Sequence, residues 1–142
     1  MFPEKPELSI TVPSRTDLLK MLTELTRHIA LRNLFSESES QKISLAVDEA
    51  ITNVIKHSYK NEENGKITLN FYPADKGIKI SISFSGIPPD LRKEPADLEQ
   101  LIKEKKKGGL GVTLIKKIMD SVKYHTVNGT NHLEMVKWKK KN

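Results

Sequence analysis

Two runs near the middle of the chain, KITLNFYP (66–73) and GIKISISFS (77–85), alternate apolar and polar residues. A period of two puts one apolar row on one side of an extended strand. A turn around Asp75–Gly77 joins the runs, and so short a connection permits only antiparallel pairing. A sheet begun in this way has an apolar face that something must cover. Helical stripes elsewhere supply the cover. Leu18, Leu19, Leu22, Leu25, Ile29 and Ala30 recur at helical spacing up to about Asn33, and Leu114, Ile115, Ile118, Met119 and Val122 form a second core-facing stripe.

The remaining segments complete the pattern. LSITV (8–12) alternates and predicts a short strand ended by Pro13. Ser14 with Asp17 resembles a capping box that opens the first helix. Either Ser38 with Gln41 or Ser36 with Glu39 caps a second helix running to about Tyr59. KNEENGK is a turn ending in Asn-Gly, and VKYHTVNGTNHLEMVKW gives two β-rich runs around Asn128-Gly129, a final hairpin. GIPPDLRKEPADLEQLIKEKKK is proline-rich and then charged, which predicts a mobile loop with a short helix near Pro95–Lys103. The order β-α-α-β-β-loop-α-β-β predicts a two-layer α/β (α+β) sandwich, a mostly antiparallel sheet with helices on one face. The chain of 142 residues suits a single domain over 1–142, with its core at about 8–138 and a basic tail at 139–142.

Composition narrows the classes of function. No apolar run approaches the roughly 20 residues of a membrane helix, and the N-terminus lacks the apolar stretch of a secretory leader. The chain has no cysteine, so disulfides and thiolate metal sites are excluded and a cytoplasmic location is expected. The formal net charge is +6, with basic clusters at Lys105–Lys107 and at Lys137 with Lys139–Lys141. That balance favours an anionic partner: nucleic acid, nucleotide phosphates or an acidic protein. No nucleic-acid recognition motif accompanies the charge, so nucleic acid is not the expected partner.

The stretch LAVDEAITNVIKHSY (45–59) raises the question of a site. On a helical wheel Asp48, Glu49, Thr52, Asn53, Lys56 and His57 fill one half, with Ala46 at its edge, while Val47, Ala50, Ile51, Val54 and Ile55 fill the other. A plain amphipathic helix accounts for this division, with Leu45 out of place and Asn53 a poor mid-helix residue. Glu49, Asn53 and His57 nevertheless stand in one row at successive turns. The second feature is Gly108, Gly109 and Gly111, three of seven glycines, directly before a helical stripe and directly after three lysines. This is either a hinge and tight turn or a phosphate cradle, where helix N–H groups meet an anion. Combined, a carboxylate, a carboxamide oxygen suited to Mg²⁺ and a glycine-rich helix start have the makings of phosphoryl chemistry.

LAVDEAITNVIKHSY, SGIPPD and KKGGLGVTLIKKIMDSVKY together resemble the histidine-kinase-like ATPases with the Bergerat ATP-binding fold, and most of all the bacterial anti-sigma-factor serine/threonine kinases. The resemblance runs over about residues 8–138 in the same element order. It implies Glu49 as general base, Asn53 as Mg²⁺ ligand and Gly86 in the turn beside the adenine pocket. Lys107, Gly108, Gly109, Leu110 and Gly111 would hold the phosphates of ATP, and residues 87–107 would form the lid. It further implies transfer of phosphate to a serine or threonine of an anti-sigma-factor antagonist, binding of a sigma factor, and a homodimer through the first strand and helix. One position departs from the pattern. The family usually has Asp-x-Gly at the end of the third strand, where the Asp accepts the adenine amino hydrogen; here the stretch is Phe84-Ser85-Gly86. Phenylalanine has no acceptor and its ring has the bulk to fill the pocket, unless a shifted register lets Ser83 or Ser85 serve instead. The implied alternative to a kinase is a non-catalytic partner-binding module with weak or lost ATP binding.

Overall fold

A computed structural model describes residues 1–86 and 111–140 of the chain. The 66–73 run is strand β2 (Lys66–Pro73), and the 77–85 run is β3 (Gly77–Phe84), one residue shorter than its pattern. They pair antiparallel with Leu69 opposite Ile82 and Phe71 opposite Ile80. The predicted first strand is β1 (Leu8–Pro13), and the C-terminal hairpin consists of β4 (Ser121–Val127) and β5 (Thr130–Trp138). Asn128 and Gly129 turn that hairpin with both φ angles in the left-handed region, 51° and 80°. This is the geometry two-residue hairpins favour and the reason Asn-Gly signals them. All five strands form one antiparallel sheet in the order β1-β2-β3-β5-β4.

Alternation decides which face of the sheet is dry. Ile67, Leu69 and Phe71 of β2 and Ile78, Ile80, Ile82 and Phe84 of β3 are buried, and Leu133 and Met135 of β5 join them. The helices α1 (Leu19–Arg32), α2 (Glu37–Asn53) and α3 (Gly111–Ile118) close over this face. α2 packs between α1 and α3. It contributes Ile43, Ala46, Val47, Ala50 and Ile51 to the core, and α1 contributes Leu22, Ile29 and Ala30. The expected two-layer sandwich is therefore the observed architecture. Among the described residues no helix is long and apolar enough to cross a membrane.

Local signals fared unevenly. Ser36, not Ser38, caps α2, its Oγ accepting from the Glu39 N–H at 3.1 Å. Ser14 does not cap the first helix. Its hydroxyl donates to the Glu62 carbonyl and accepts from the Gly65 N–H, while Asp17 pairs with Arg15. A buried hydroxyl (Ser14 is 1% exposed) gains more from two backbone partners across the fold than from a local cap open to water. A 3₁₀ turn, Thr16–Leu18, leads into α1 instead. The last helix stops at Ile118, so Val122 of that stripe lies in β4. Its end is fixed from outside: Lys137 Nζ donates to the Ile118 carbonyl at 2.9 Å and sits 3.6 Å from Glu39 at the start of α2. The lid over 87–107 and the short helix near Pro95–Lys103 lie outside the described residues.

Phe71 has no exposed surface and lies where β2 meets the helices. Truncating such a ring loses its transfer free energy and leaves a cavity. Phe71→Ala is expected to lower the unfolding free energy by about 3–5 kcal/mol, as measured by urea titration followed by circular dichroism.

Candidate functional site

α2 serves both layers at once. Its inner side is wholly buried, and Asp48, Glu49, Thr52 and Asn53 stand half-buried along the other. Ala46, placed by the wheel at the polar edge, is fully buried, while Leu45 is exposed. Directly after Asn53 the helix widens into a π turn, Val54–Ser58, closed by the Tyr59 N–H donating to the Val54 carbonyl at 3.0 Å. An inserted π turn changes the angular register of everything beyond it. Beyond Asn53, Val54, Ile55 and Ser58 are buried and Lys56 and His57 are exposed, the same division the wheel predicts. The sequence pattern gave no warning of this turn, because a straight helix satisfies the same apolar spacing.

The two half-buried members of the row are electrically and sterically unusual. Burial pushes the Glu49 carboxyl above the ordinary carboxylate range, the neighbouring charge of Asp48 pushes it further, and Lys56 partly offsets both. Burial raises Asp48 as well. Asn53 Oδ1 is shut off from water and accepts no hydrogen bond. An orphaned buried carbonyl oxygen typically costs about 1–3 kcal/mol. A hard cation carried in with phosphates fits that vacancy, since Mg²⁺ takes oxygen ligands and keeps most of its others from water and phosphate. The donor set present, an amide oxygen one turn from a carboxylate, suits it.

Gly86 closes the other end of the site. Its φ is +99°, and a Cβ there would lie 2.4 Å from the Ser58 carbonyl oxygen, so both conformation and space demand glycine. The turn is fastened from three directions. Ser58 of the π turn abuts it, the Ser85 N–H donates to the Tyr59 hydroxyl at 2.9 Å, and Asn131 Nδ2 donates to the Gly86 carbonyl at 3.2 Å. Sequence reasoning missed Ser58, Tyr59 and Asn131. Only the hairpin register, which sets Asn131 opposite Phe84, could have pointed to the last.

Phe84 is 2% exposed and belongs to the core. Ser83 falls on the opposite face of β3, its hydroxyl 2.9 Å from His132 Nδ1. Ser85 is exposed and its Oγ lies 3.2 Å from the Tyr59 hydroxyl, whose proton goes to the Lys66 carbonyl, so Ser85 donates there and keeps its own acceptor capacity. Gly111 is the first described residue of α3. Lys107, Gly108, Gly109 and Leu110 lie outside the described residues.

The model of the histidine kinase-like ATPase domain matches residues 12–137. The chain belongs to this family. It is 31% identical over 130 residues to the serine-protein kinase RsbW of Listeria monocytogenes, covering 88% of this chain and 83% of that one. Among solved structures, the RsbU and RsbW domains of a Mycobacterium tuberculosis protein superpose with a TM-score of 0.63 at 13% identity, covering 96% of this chain and 33% of that one. The SiaB–SiaC complex of Pseudomonas aeruginosa gives 0.61 at 16% identity, covering 94% and 90%. Identities this low establish the shared ATPase fold alone.

The raised Glu49 has a consequence for stability. At pH well below its ordinary value of 4.5 the group is protonated in folded and unfolded chains alike, and burial penalises neither. Above its raised folded value it is ionised in both, and the folded state alone bears the desolvation. Native stability therefore falls as pH rises through the window from 4.5 to the raised value. Glu49→Gln is expected to melt at a higher temperature than the unaltered chain at pH 7, with the gain disappearing towards pH 4; thermal melts across that range measure it.

Proposed function

We propose that this protein is an anti-sigma-factor-type regulator that binds ATP with Mg²⁺ and phosphorylates a serine or threonine of an anti-sigma-factor antagonist, thereby setting how much sigma factor is free. The observation that carries this reading is the half-buried pair on α2: a carboxylate held above its ordinary range beside an amide oxygen with no partner. Both features cost stability and neither helps the fold, as expected of a site awaiting ligand. Kinship to the serine-protein kinase of Listeria monocytogenes supports the choice of phosphate acceptor.

The residues divide the work. Glu49 accepts the proton of the attacking hydroxyl; a carboxylate whose pKa is raised is the stronger base. Asn53 Oδ1 supplies one ligand to Mg²⁺, which when bound spreads the developing phosphate charge. Gly108, Gly109, Leu110 and Gly111 present backbone N–H groups to the phosphates at the start of α3, with Lys107 adding a positive charge. Gly86 closes the base end. β1 is an edge strand with an unpaired side, which suits a homodimer formed through β1 and α1. The net charge of +6 suits an acidic face on the antagonist or sigma factor.

The second reading, a partner-binding module of the same fold with weak nucleotide binding, is favoured by the buried ring of Phe84 where the family has a carboxylate. Calorimetric titration with ATP, with and without Mg²⁺, separates the two. Micromolar, Mg²⁺-dependent binding that Asn53→Ala weakens at least about tenfold supports the kinase; no binding supports the module. In transfer assays with labelled ATP and a purified antagonist, Glu49→Ala is expected to slow phosphorylation by about 10²-fold or more while leaving nucleotide affinity nearly unchanged. An unchanged rate would remove Glu49 from the reaction.

A further inference from the structure

Two of the chain's four histidines stand directly opposite one another, His125 on β4 and His132 on β5. They end a row of polar residues that crosses all five strands in register: Thr11, Thr68, Ser83, His132 and His125. Ser83 stands between the buried Ile82 and Phe84, and His132 between the buried Asn131 and Leu133. Alternation therefore puts the row on the face of the sheet away from the core and its helices.

The two imidazoles are stacked, with ring centroids 5.1 Å apart and planes 24° from parallel. His125 is exposed and His132 half-buried. Ser83 Oγ lies 2.9 Å from His132 Nδ1. The core has no part in this arrangement, since none of the three residues belongs to it. Two like charges directly opposite on a sheet repel, so the pair is best suited to its neutral form. Neutral imidazole is the commonest side-chain ligand of metal ions.

Metal-ligating histidines almost always donate their other ring N–H to a fixed partner, which sets the tautomer and aims the ring. Ser83 is that partner for His132: with Nδ1–H donating to Ser83 Oγ, the free lone pair is on Nε2. An ion such as Zn²⁺ lies about 2.0–2.1 Å from each imidazole nitrogen, so two nitrogens on one ion are at most about 4 Å apart. The stacked rings reach that separation by tipping towards each other, and exposed His125 has the rotamer freedom to do so. Among the described residues no third histidine, cysteine, aspartate or glutamate joins the pair in a group that could hold a metal. The chain thus supplies two nitrogens and water the remaining ligands. Such a donor set suits Cu²⁺, Ni²⁺ or Zn²⁺, with Cu²⁺ the tightest, and not Mg²⁺, which takes oxygen ligands.

We propose that His125 and His132 form a two-histidine site for a divalent transition-metal ion on the open face of the sheet, with Ser83 as the positioning residue of His132. A bound ion fastens the edge strand β4 to β5. The site lies across the sheet from the half-buried pair on α2 and is independent of nucleotide binding.

The full chain is titrated calorimetrically with copper(II) chloride, and the loaded protein is read by electron paramagnetic resonance. One Cu²⁺ per chain is expected, with two coordinated imidazole nitrogens and no competition from Mg²⁺. His125→Ala and His132→Ala are each expected to weaken binding by about tenfold or more. Replacing His28 and His57 together, both on the helical layer, is expected to leave it unchanged. Ser83→Ala is expected to weaken it about tenfold with both nitrogens retained. Equal affinity in His125→Ala or His132→Ala, a single coordinated nitrogen, or half an equivalent of copper bridging two chains would mean an adventitious ion only and overturns the proposal. Unchanged affinity in Ser83→Ala overturns its positioning role. Circular dichroism reports whether each variant folds, and the nitrogen count in the unaltered chain decides if one does not.

Discussion

Everything in this molecule depends on how α2 is buried. Ala46, Val47, Ala50 and Ile51 are at most 1% exposed, and the π turn adds Val54 and Ile55 at 3% and 2%. This stripe meets the apolar face of the sheet, and burial on this scale holds a helix of given sequence in one rotational setting. The setting is what lifts Glu49 and Asn53 to the half-buried side, where the one is desolvated and the other loses its water. Packing and function are thus two sides of a single helix, and the first enforces the second.

The π turn reconciles two demands that a straight helix could not meet. Asn53 must stay on the site side, and the chain must then reach the Gly86 turn. Widening the helix brings the Ser58 carbonyl against Gly86, and places Tyr59 where its hydroxyl both donates to the Lys66 carbonyl and accepts from Ser85. The same short segment therefore joins Asn53 to the Gly86 turn. Asn131 completes the bracing from the far strand, so this turn is held by hydrogen bonds that owe nothing to a ligand.

Phe84 stands where the resemblance read from the sequence implies an aspartate. A carboxylate at the end of β3 would sit buried beside Ile67 and Asn131, needing a ligand to satisfy it. Phenylalanine at that position extends the core instead. Its strand neighbour Asn131 has only internal partners.

Much of the architecture could be read from the chain alone, because it is written in short-range periods. Alternation in 66–73 and 77–85 set the strands and their inner faces, Asn128-Gly129 set the last hairpin, and the helical stripes set the covering layer. Glu49 and Asn53 were legible as a pair because one helical turn separates them. Their chemistry was not, since desolvation depends on what packs around a group. Ser14 took partners across the fold where the sequence offered a local cap, and a π turn follows Asn53 where the pattern fits a straight helix. The bracing of Gly86 by Ser58, Tyr59 and Asn131 joins residues remote in sequence. The sequence determined which residues face inward, through periodicity; only the tertiary structure decided which polar atoms would be left without water or a partner, because burial is a property of neighbours brought together by folding.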